Sequence, residues 1–335
     1  MVIPYLLAPM AELSHRGLRE LLEGFGGCDE YFTEMISAAA LFAGGPYEQW
    51  YIDNGPCPEK LVYQIVGADI GQMVKAAAAL DLRECKGIDL NMGCSAPLIR
   101  KAGAGVAWMA SIDRAGELVS RVRNVVKRRL SIKIRTGLTD DCDYLVKFCR
   151  RLEAEGADLI ILHPRTAKEK FKRLARWSYV GILRQELRIP IAGNGDITNA
   201  EGLIKRTEGP CDAVMVGRAA IRRPWIFAQA RGIGNRDQGS GSSDCRLIND
   251  NTAVEYPGNT NSSLVQETGL RFLELLARWQ PADFHLSRAR RFFSYFCDNV
   301  VWGNYLKNRL NRETTLSGFE QVWCDYFTGG HYEAF

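Results

Sequence analysis

Short, nearly continuous apolar runs alternate with longer amphipathic ones through most of the chain. Residues 5–8, 31–33, 61–65, 87–90, 131–134, 159–162, 189–192 and 213–216 read as strands. Several are almost unbroken Ile, Leu and Val, as expected when both faces of a parallel sheet are covered. Between them apolar positions recur at helical spacing. Asp69 is placed to cap a helix in which Ile70, Met73, Val74, Ala77 and Leu80 share one stripe. Residues 115–129 and 141–155 carry the same pattern. Eight strand–helix repeats fit an α/β fold of the (β/α)8 TIM-barrel type. A doubly wound sheet of fewer strands would be shorter, and no Gly-x-Gly-x-x-Gly follows the first strand.

The pattern changes after Gly232. Residues 232–263 are rich in Gly, Ser, Asn and Asp, which predicts a flexible linker or surface insertion. Helical periodicity returns at Leu264. Leu270, Leu273, Leu276 and Ala277 form one predicted stripe, and Phe292, Phe293, Phe296 and Val300 another. The expected organisation is therefore a barrel over 1–231, the linker, a smaller all-helical domain over 264–328, and a tail over 329–335.

Composition narrows the class. The chain has 335 residues, 46% of them hydrophobic and 24% charged, enough for one large core and a smaller one. No apolar run is long enough to cross a membrane, and no secretory signal opens the sequence, so the expected location is cytoplasmic. The ten cysteines are scattered singly and only four histidines accompany them, so no metal site is expected and the thiols read as reduced. A net charge of +4 permits nucleic-acid binding without arguing for it.

The candidate chemistry lies at the strand ends, which in a parallel barrel converge on one face. After the fourth strand comes Asp89-Leu90-Asn91-Met92-Gly93-Cys94-Ser95, a loop with an amide and a thiol. A cysteine can deliver a proton near neutral pH without being permanently charged. The first strand ends Ala8-Pro9-Met10-Ala11, small enough for a flat ligand to approach the backbone. The third brings Gln64, the fifth Lys133 and Arg135, and the sixth His163-Pro164-Arg165-Thr166. Gly193-Asn194-Gly195-Asp196 and Gly217-Arg218 close the seventh and eighth. Each alone could be a packing group or an ordinary turn. Together they suggest a phosphorylated planar cofactor, because barrel enzymes commonly bind phosphate with the loops after strands seven and eight. FMN is the natural candidate, with Lys133 near the ring and Arg218 on the phosphate.

In order and spacing these motifs resemble the tRNA-dihydrouridine synthases. The resemblance includes Tyr31-Phe32-Thr33-Glu34-Met35, Lys133-Ile134-Arg135-Thr136-Gly137 and Val214-Met215-Val216-Gly217-Arg218, and covers nearly the whole chain. It implies an FMN-dependent enzyme that reduces the 5,6 double bond of selected uridines in tRNA with NADPH, or NADH, as electron source. It also implies that Pro9, Met10, Ala11, Gln64, Lys133, His163, Asn194, Gly195, Asp196, Gly217 and Arg218 bind the flavin. Cys94 would be the catalytic proton donor, and Asn91 would help place the uracil. Three residues depart from the family pattern: Ser95 where proline usually follows the cysteine, Pro164 at a position often held by a small residue, and Glu12 in place of a glycine.

Basic residues suit an RNA partner. Lys168, Lys170, Lys172, Arg173 and Arg176 follow the sixth strand, where Arg165 and Lys168 are expected to meet the substrate. Arg288, Arg290, Arg291, Lys307, Arg309 and Arg312 mark the helical domain, which by resemblance would hold tRNA. Two alternatives remain. One is an FMN barrel oxidoreductase acting on a free pyrimidine or another small molecule; the other is a tRNA-binding protein without catalysis. A monomer is expected.

Overall fold

The computed structural model describes residues 2–169, 172–236 and 262–328. Contacts group the chain into two units, Met1–Ala11 with Cys28–Gly217, and Glu12–Gly27 with Arg218–Phe335. Residues 237–261 of the expected 232–263 linker, the 329–335 tail and Lys170 lie outside the described residues, while the two ends of that expected linker are helical: 232–236 finish the helix Ile226–Arg236 and 262–263 begin Ser262–Trp279.

The first unit is a closed parallel barrel. Its strands are β1 (Tyr5–Leu7), β2 (Glu30–Phe32), β3 (Leu61–Val66) and β4 (Gly87–Met92). They continue as β5 (Arg129–Gly137), β6 (Leu159–Thr166), β7 (Ile191–Asn194) and β8 (Ala213–Val216). Each pairs in parallel with the next, and β8 returns to β1 through Tyr5–Val214 and Leu7–Val216. A two-residue strand, Ile36–Ser37, lies beside the end of β3. The fold is thus the (β/α)8 barrel that the repeat of apolar runs predicts.

Helices form where the caps allow. Asp69 accepts from the Gln72 N–H at 2.8 Å and starts Ile70–Asp81, which buries Met73, Ala76, Ala77 and Leu80. Asp141 does the same for Cys142–Ala154 through Tyr144, and Ser111 for Ile112–Arg123. An N-terminal side-chain oxygen satisfies one of the otherwise unpaired first N–H groups, a contribution of about 1 kcal/mol.

Side chains at alternate strand positions fill the barrel. Leu6, Ala8, Phe32, Val62, Leu159, Ile161, Ala192, Ala213 and Met215 form its apolar interior. At the strand N-termini Glu30 is buried and takes Arg129 Nη1 at 2.7 Å and Lys86 Nζ at 3.1 Å. The opposite face, at the strand C-termini, is where the inward positions turn polar.

The second unit is helical. Ser262–Trp279 carries Phe272, whose ring stacks on Phe292 of Ala282–Phe296 with centroids 3.7 Å apart. Phe293, Phe296, Phe319 and Trp323 complete this aromatic core. Helix Arg16–Gly24 joins it closely enough that a Cβ on Gly17 would sit 3.1 Å from the Leu275 carbonyl oxygen. That partner widens the buried arc of Ser262–Trp279. Leu273 and Leu276 are buried as predicted, but Phe272 and Leu275 join them while Ala277 faces solvent.

Candidate active site

The inward positions of β3, β4 and β5 build the polar end of the barrel from the interior outward. Strand register sets Gln64 beside Asp89, Asp89 beside Ser131, and Asn91 beside Lys133. Gln64, Asp89 and Ser131 are each 0% exposed. Asp89 accepts from Gln64 Nε2 and from Ser131 Oγ, both at 2.7 Å. Gln64 Oε1 in turn accepts from Asn91 Nδ2 at 2.8 Å. Asn91 Oδ1 then takes the backbone N–H of Gly93 at 3.2 Å and of Cys94 at 2.9 Å. Burial pushes the Asp89 carboxyl up to about 7, against the pull of its two donors and of Lys133.

Cys94 is half-buried at the end of β4. Its loop is held from three sides. Asn91 takes its N–H, Val106 donates to its carbonyl at 2.9 Å, and Arg135 Nε donates to the Gly93 carbonyl at 2.9 Å. Gly105 makes this possible: its φ is +59°, and a Cβ there would lie 2.5 Å from the Cys94 carbonyl oxygen. Ser95, in the place of the usual proline, is half-buried, and a proline at 97 opens the next short helix. The anchoring of this loop therefore comes from Asn91, Arg135 and Val106.

Lys133 Nζ donates to Asn194 Oδ1 at 3.2 Å, and Asn194 Nδ2 donates to the Met215 carbonyl at 2.8 Å. Burial, helped by the charge of Arg135, lowers the Lys133 ammonium to about 8; negative charge at Asp89 or Cys94 opposes this. His163 and Asp196 meet through Arg165. Its guanidinium is 3.0 Å from His163 Nε2 and forms an ion pair with Asp196. Arginine can only donate, so the His163 ring carries its proton on Nδ1. Asp196 also accepts from the Ala175 N–H at 2.6 Å and stands at φ +55°.

The glycines differ in what they require. Gly195 has φ +132°, and a Cβ would come within 2.9 Å of Ala175, so its backbone and packing already demand glycine. Gly217 is open by comparison: a Cβ would meet Ala8 and Met10 only at 3.7 and 3.8 Å. Pro9 and Met10 are half-buried, Met10 against the interior cluster, and Ala11 is exposed. Arg218 is exposed and begins the helix Arg218–Arg222 of the second unit. An apolar side chain, a lysine paired with an amide, and an open glycine share one barrel end. That donor set suits a planar, phosphorylated ring such as a flavin.

The basic residues divide. Lys168, Lys172 and Arg173 are exposed, whereas Arg176 is held by Glu169 at 2.7 and 2.9 Å. That pairing, with the Thr166 N–H, holds the Glu169 carboxyl down at about 2. Arg165 is itself buried, at 3% exposed. In the helical unit Arg288 is buried, Arg290 donates to the Glu313 carbonyl and Lys307 pairs with Asp298; Arg291 and Arg312 face solvent. Asp89 and Ser131 are the site residues that sequence reasoning passed over. Period-two spacing from Asn91 and Lys133 was the signal that could have found them.

Comparison with known proteins gives the family. A family model described as Dihydrouridine synthase (Dus) matches residues 6–252. A probable tRNA-dihydrouridine synthase of Aquifex aeolicus (strain VF5) is 32% identical over 233 residues, 67% of this chain and 71% of that protein. A tRNA-dihydrouridine(16) synthase of Ralstonia nicotianae is 30% identical over 237 residues, 68% of this chain and 72% of its own length. A Homo sapiens protein named tRNA-dihydrouridine(47) synthase, NAD(P)(+)-like, is 27% identical over 282 residues, 82% of this chain but 43% of that protein. Since the matched region takes in every strand of the barrel and the whole polar face at its C-terminal end, the chain belongs to the dihydrouridine synthase family.

Proposed function

We propose that this protein reduces the 5,6 double bond of uridines in tRNA to give dihydrouridine, using FMN and an NAD(P)H electron source. The observation that carries the reading is the placement of Cys94. Strand register pairs Asn91 with Lys133, and the loop that Asn91 anchors presents a half-buried thiol at that level of the barrel.

Lys133, Asn194, Gln64 and His163, with Pro9, Met10, Ala11, Gly195, Asp196 and Gly217, are the residues that would hold the flavin, and Arg218 would meet its phosphate. Bound there and kept reduced by NAD(P)H, which would leave as NAD(P)+, FMN would supply the hydride for C6 of the uracil. The chain's own groups do the rest. Cys94 Sγ–H gives its proton to C5, and the resulting thiolate regains one from solvent. A thiolate at this position favours the Lys133 and Arg135 cations, both of which respond to its charge. Asn91 uses three hydrogen bonds to fix the thiol loop and keeps one amide N–H for a uracil carbonyl. Arg165 would act through what it holds, His163 and Asp196, and the exposed Lys168 would be free to meet an RNA phosphate.

The helical unit and the exposed Lys168, Lys172 and Arg173 favour an RNA substrate over a free pyrimidine, which needs neither. No helix among the described residues is long and apolar enough to cross a membrane. The protein is proposed to act as a monomer in the cytoplasm and without a metal. Cys94→Ala tests the assignment: the purified variant should stay yellow but reduce tRNA uridines about 10²- to 10⁴-fold more slowly, the usual worth of a positioned acid. Unchanged turnover would remove Cys94 from the reaction.

A further inference from the structure

The hydrogen bonds from Ser131 to Cys94 have a direction. A carboxylate can only accept, so the amide of Gln64 must turn its Nε2 toward Asp89. That leaves Gln64 Oε1 facing Asn91, which must answer with Nδ2. Asn91 Oδ1 is thereby aimed at the two N–H groups of Gly93 and Cys94. If Gln64 were reversed, its Nε2 would face Asn91 Nδ2, and Asn91 could satisfy it only by turning its own Nδ2 onto the Gly93 and Cys94 N–H groups. Donor would then meet donor and the loop would lose its anchor. Amide orientation at two buried positions is thus decided by one acceptor. We propose that Asp89 is a positioning residue: through Gln64 and Asn91 it fixes the backbone of the Cys94 loop, and with it the aim of the thiol.

The arrangement also explains how the loop stays in place if Asp89 carries a proton. Ser131 Oγ is a rotatable hydroxyl that can accept as readily as donate, and the Ile88 carbonyl lies 3.5 Å away to take its hydrogen. Protonation on the Oδ1 side reverses the bond to Ser131, while Oδ2 still accepts from Gln64. An asparagine at 89 mimics that protonated form and keeps the same direction. An alanine removes the acceptor and leaves a Gln64 N–H buried without its partner.

The inference rests on Cys94 being the reacting group, but its test reads the loop and not the reaction. Hydrogen exchange of peptides covering residues 90–96 is compared in wild type, Asp89→Ala and Asp89→Asn, together with the alkylation rate of Cys94 by iodoacetamide. The expected result is exchange of the Gly93 and Cys94 amides at least about tenfold faster in Asp89→Ala, the scale of one lost buried hydrogen bond. Cys94 alkylation should change with it, peptides from β6 should keep wild-type exchange, and Asp89→Asn should behave as wild type. Should Asp89→Ala not fold, Asp89→Ser, one carbon too short to reach Gln64, is read in the same way. Wild-type exchange of the loop in a folded Asp89→Ala or Asp89→Ser protein would overturn the proposal. So would an Asp89→Asn variant as impaired as alanine, and so would exchange raised equally across the β6 peptides. Loss of the Cys94 assignment through an active Cys94→Ala enzyme would leave these exchange results standing, so the two failures are distinguishable.

Discussion

Gly105→Ala puts the geometry of the thiol loop to a quantitative test. Gly105 sits at φ +59°, where an L side chain costs about 1–2 kcal/mol. The new Cβ would also lie 2.5 Å from the Cys94 carbonyl oxygen and 2.9 Å from the Ile99 side chain, where ordinary contact begins at 3.4 Å. Relieving a clash of that size in packed surroundings costs roughly another 1–3 kcal/mol. The expected loss is therefore about 2–5 kcal/mol, read as a lower urea midpoint at unchanged slope. Because the contact is with Cys94 itself, the carbonyl must retreat by about 0.9 Å to restore a 3.4 Å separation. Displacement of a catalytic group by about 1 Å can cost about 100-fold in rate. Turnover on tRNA, measured where the variant is still folded, should fall on the order of 10- to 100-fold while flavin binding persists. A variant with wild-type midpoint and wild-type turnover would refute the picture of a loop closed against Gly105.

Lys133→Met removes the ammonium that reaches Asn194, and the purified variant should lose most of its yellow flavin on dilution while its circular dichroism stays that of the wild type; full retention would remove Lys133 from the flavin site. Glu12 occupies φ +64°, so Glu12→Gly should be more stable than Glu12→Ala, which loses the same side chain but keeps the strain, by roughly 0.5–1 kcal/mol after the added chain entropy is subtracted; a glycine variant no more stable than the alanine one would contradict the strain. The buried Asp89 carboxyl titrates near 7 in the folded protein and near 3.8 when unfolded, so the unfolded state binds fewer protons between these values. Stability should fall as pH rises through that window, and since asparagine does not titrate, the wild-type minus Asp89→Asn difference in urea midpoint should become more negative with rising pH; a pH-independent difference would contradict the burial.

Much of this architecture is legible in the residues. Strands buried on both faces leave unbroken apolar runs, and all eight barrel strands fall on them. The ends of those strands are harder to read. β5 continues to Gly137 and β6 to Thr166 because their inward positions turn polar at the barrel mouth, where Lys133, Arg135, His163 and Arg165 interrupt the apolar signal. β7 starts two residues later than its apolar run: the Ile189 N–H is taken by the Glu153 side chain, Pro190 has none, and the ladder begins at Ile191. The motif residues were visible as a set, but Asp89 was hidden inside its own strand. Its role depends on cross-strand neighbours, Gln64 and Ser131, which sequence spacing does not bring together. The basic clusters misled in the other direction, since Arg176, Arg288 and Lys307 are spent on partners within the fold. Nothing in the residues of 16–24 marks them as packing on Ser262–Trp279, and that neighbour is what buries Leu275 and leaves Ala277 in solvent.

Nucleoside mass spectrometry of total tRNA, from cells with and without this gene and from cells carrying only Cys94→Ala, tests the central claim most directly. The account predicts that dihydrouridine at a defined tRNA position disappears on deletion, returns with the wild-type gene, and does not return with the variant. Undiminished dihydrouridine at every position in the deletion strain, with the purified protein still holding its flavin but leaving unmodified tRNA unchanged, would contradict it and turn the assignment to a small-molecule substrate.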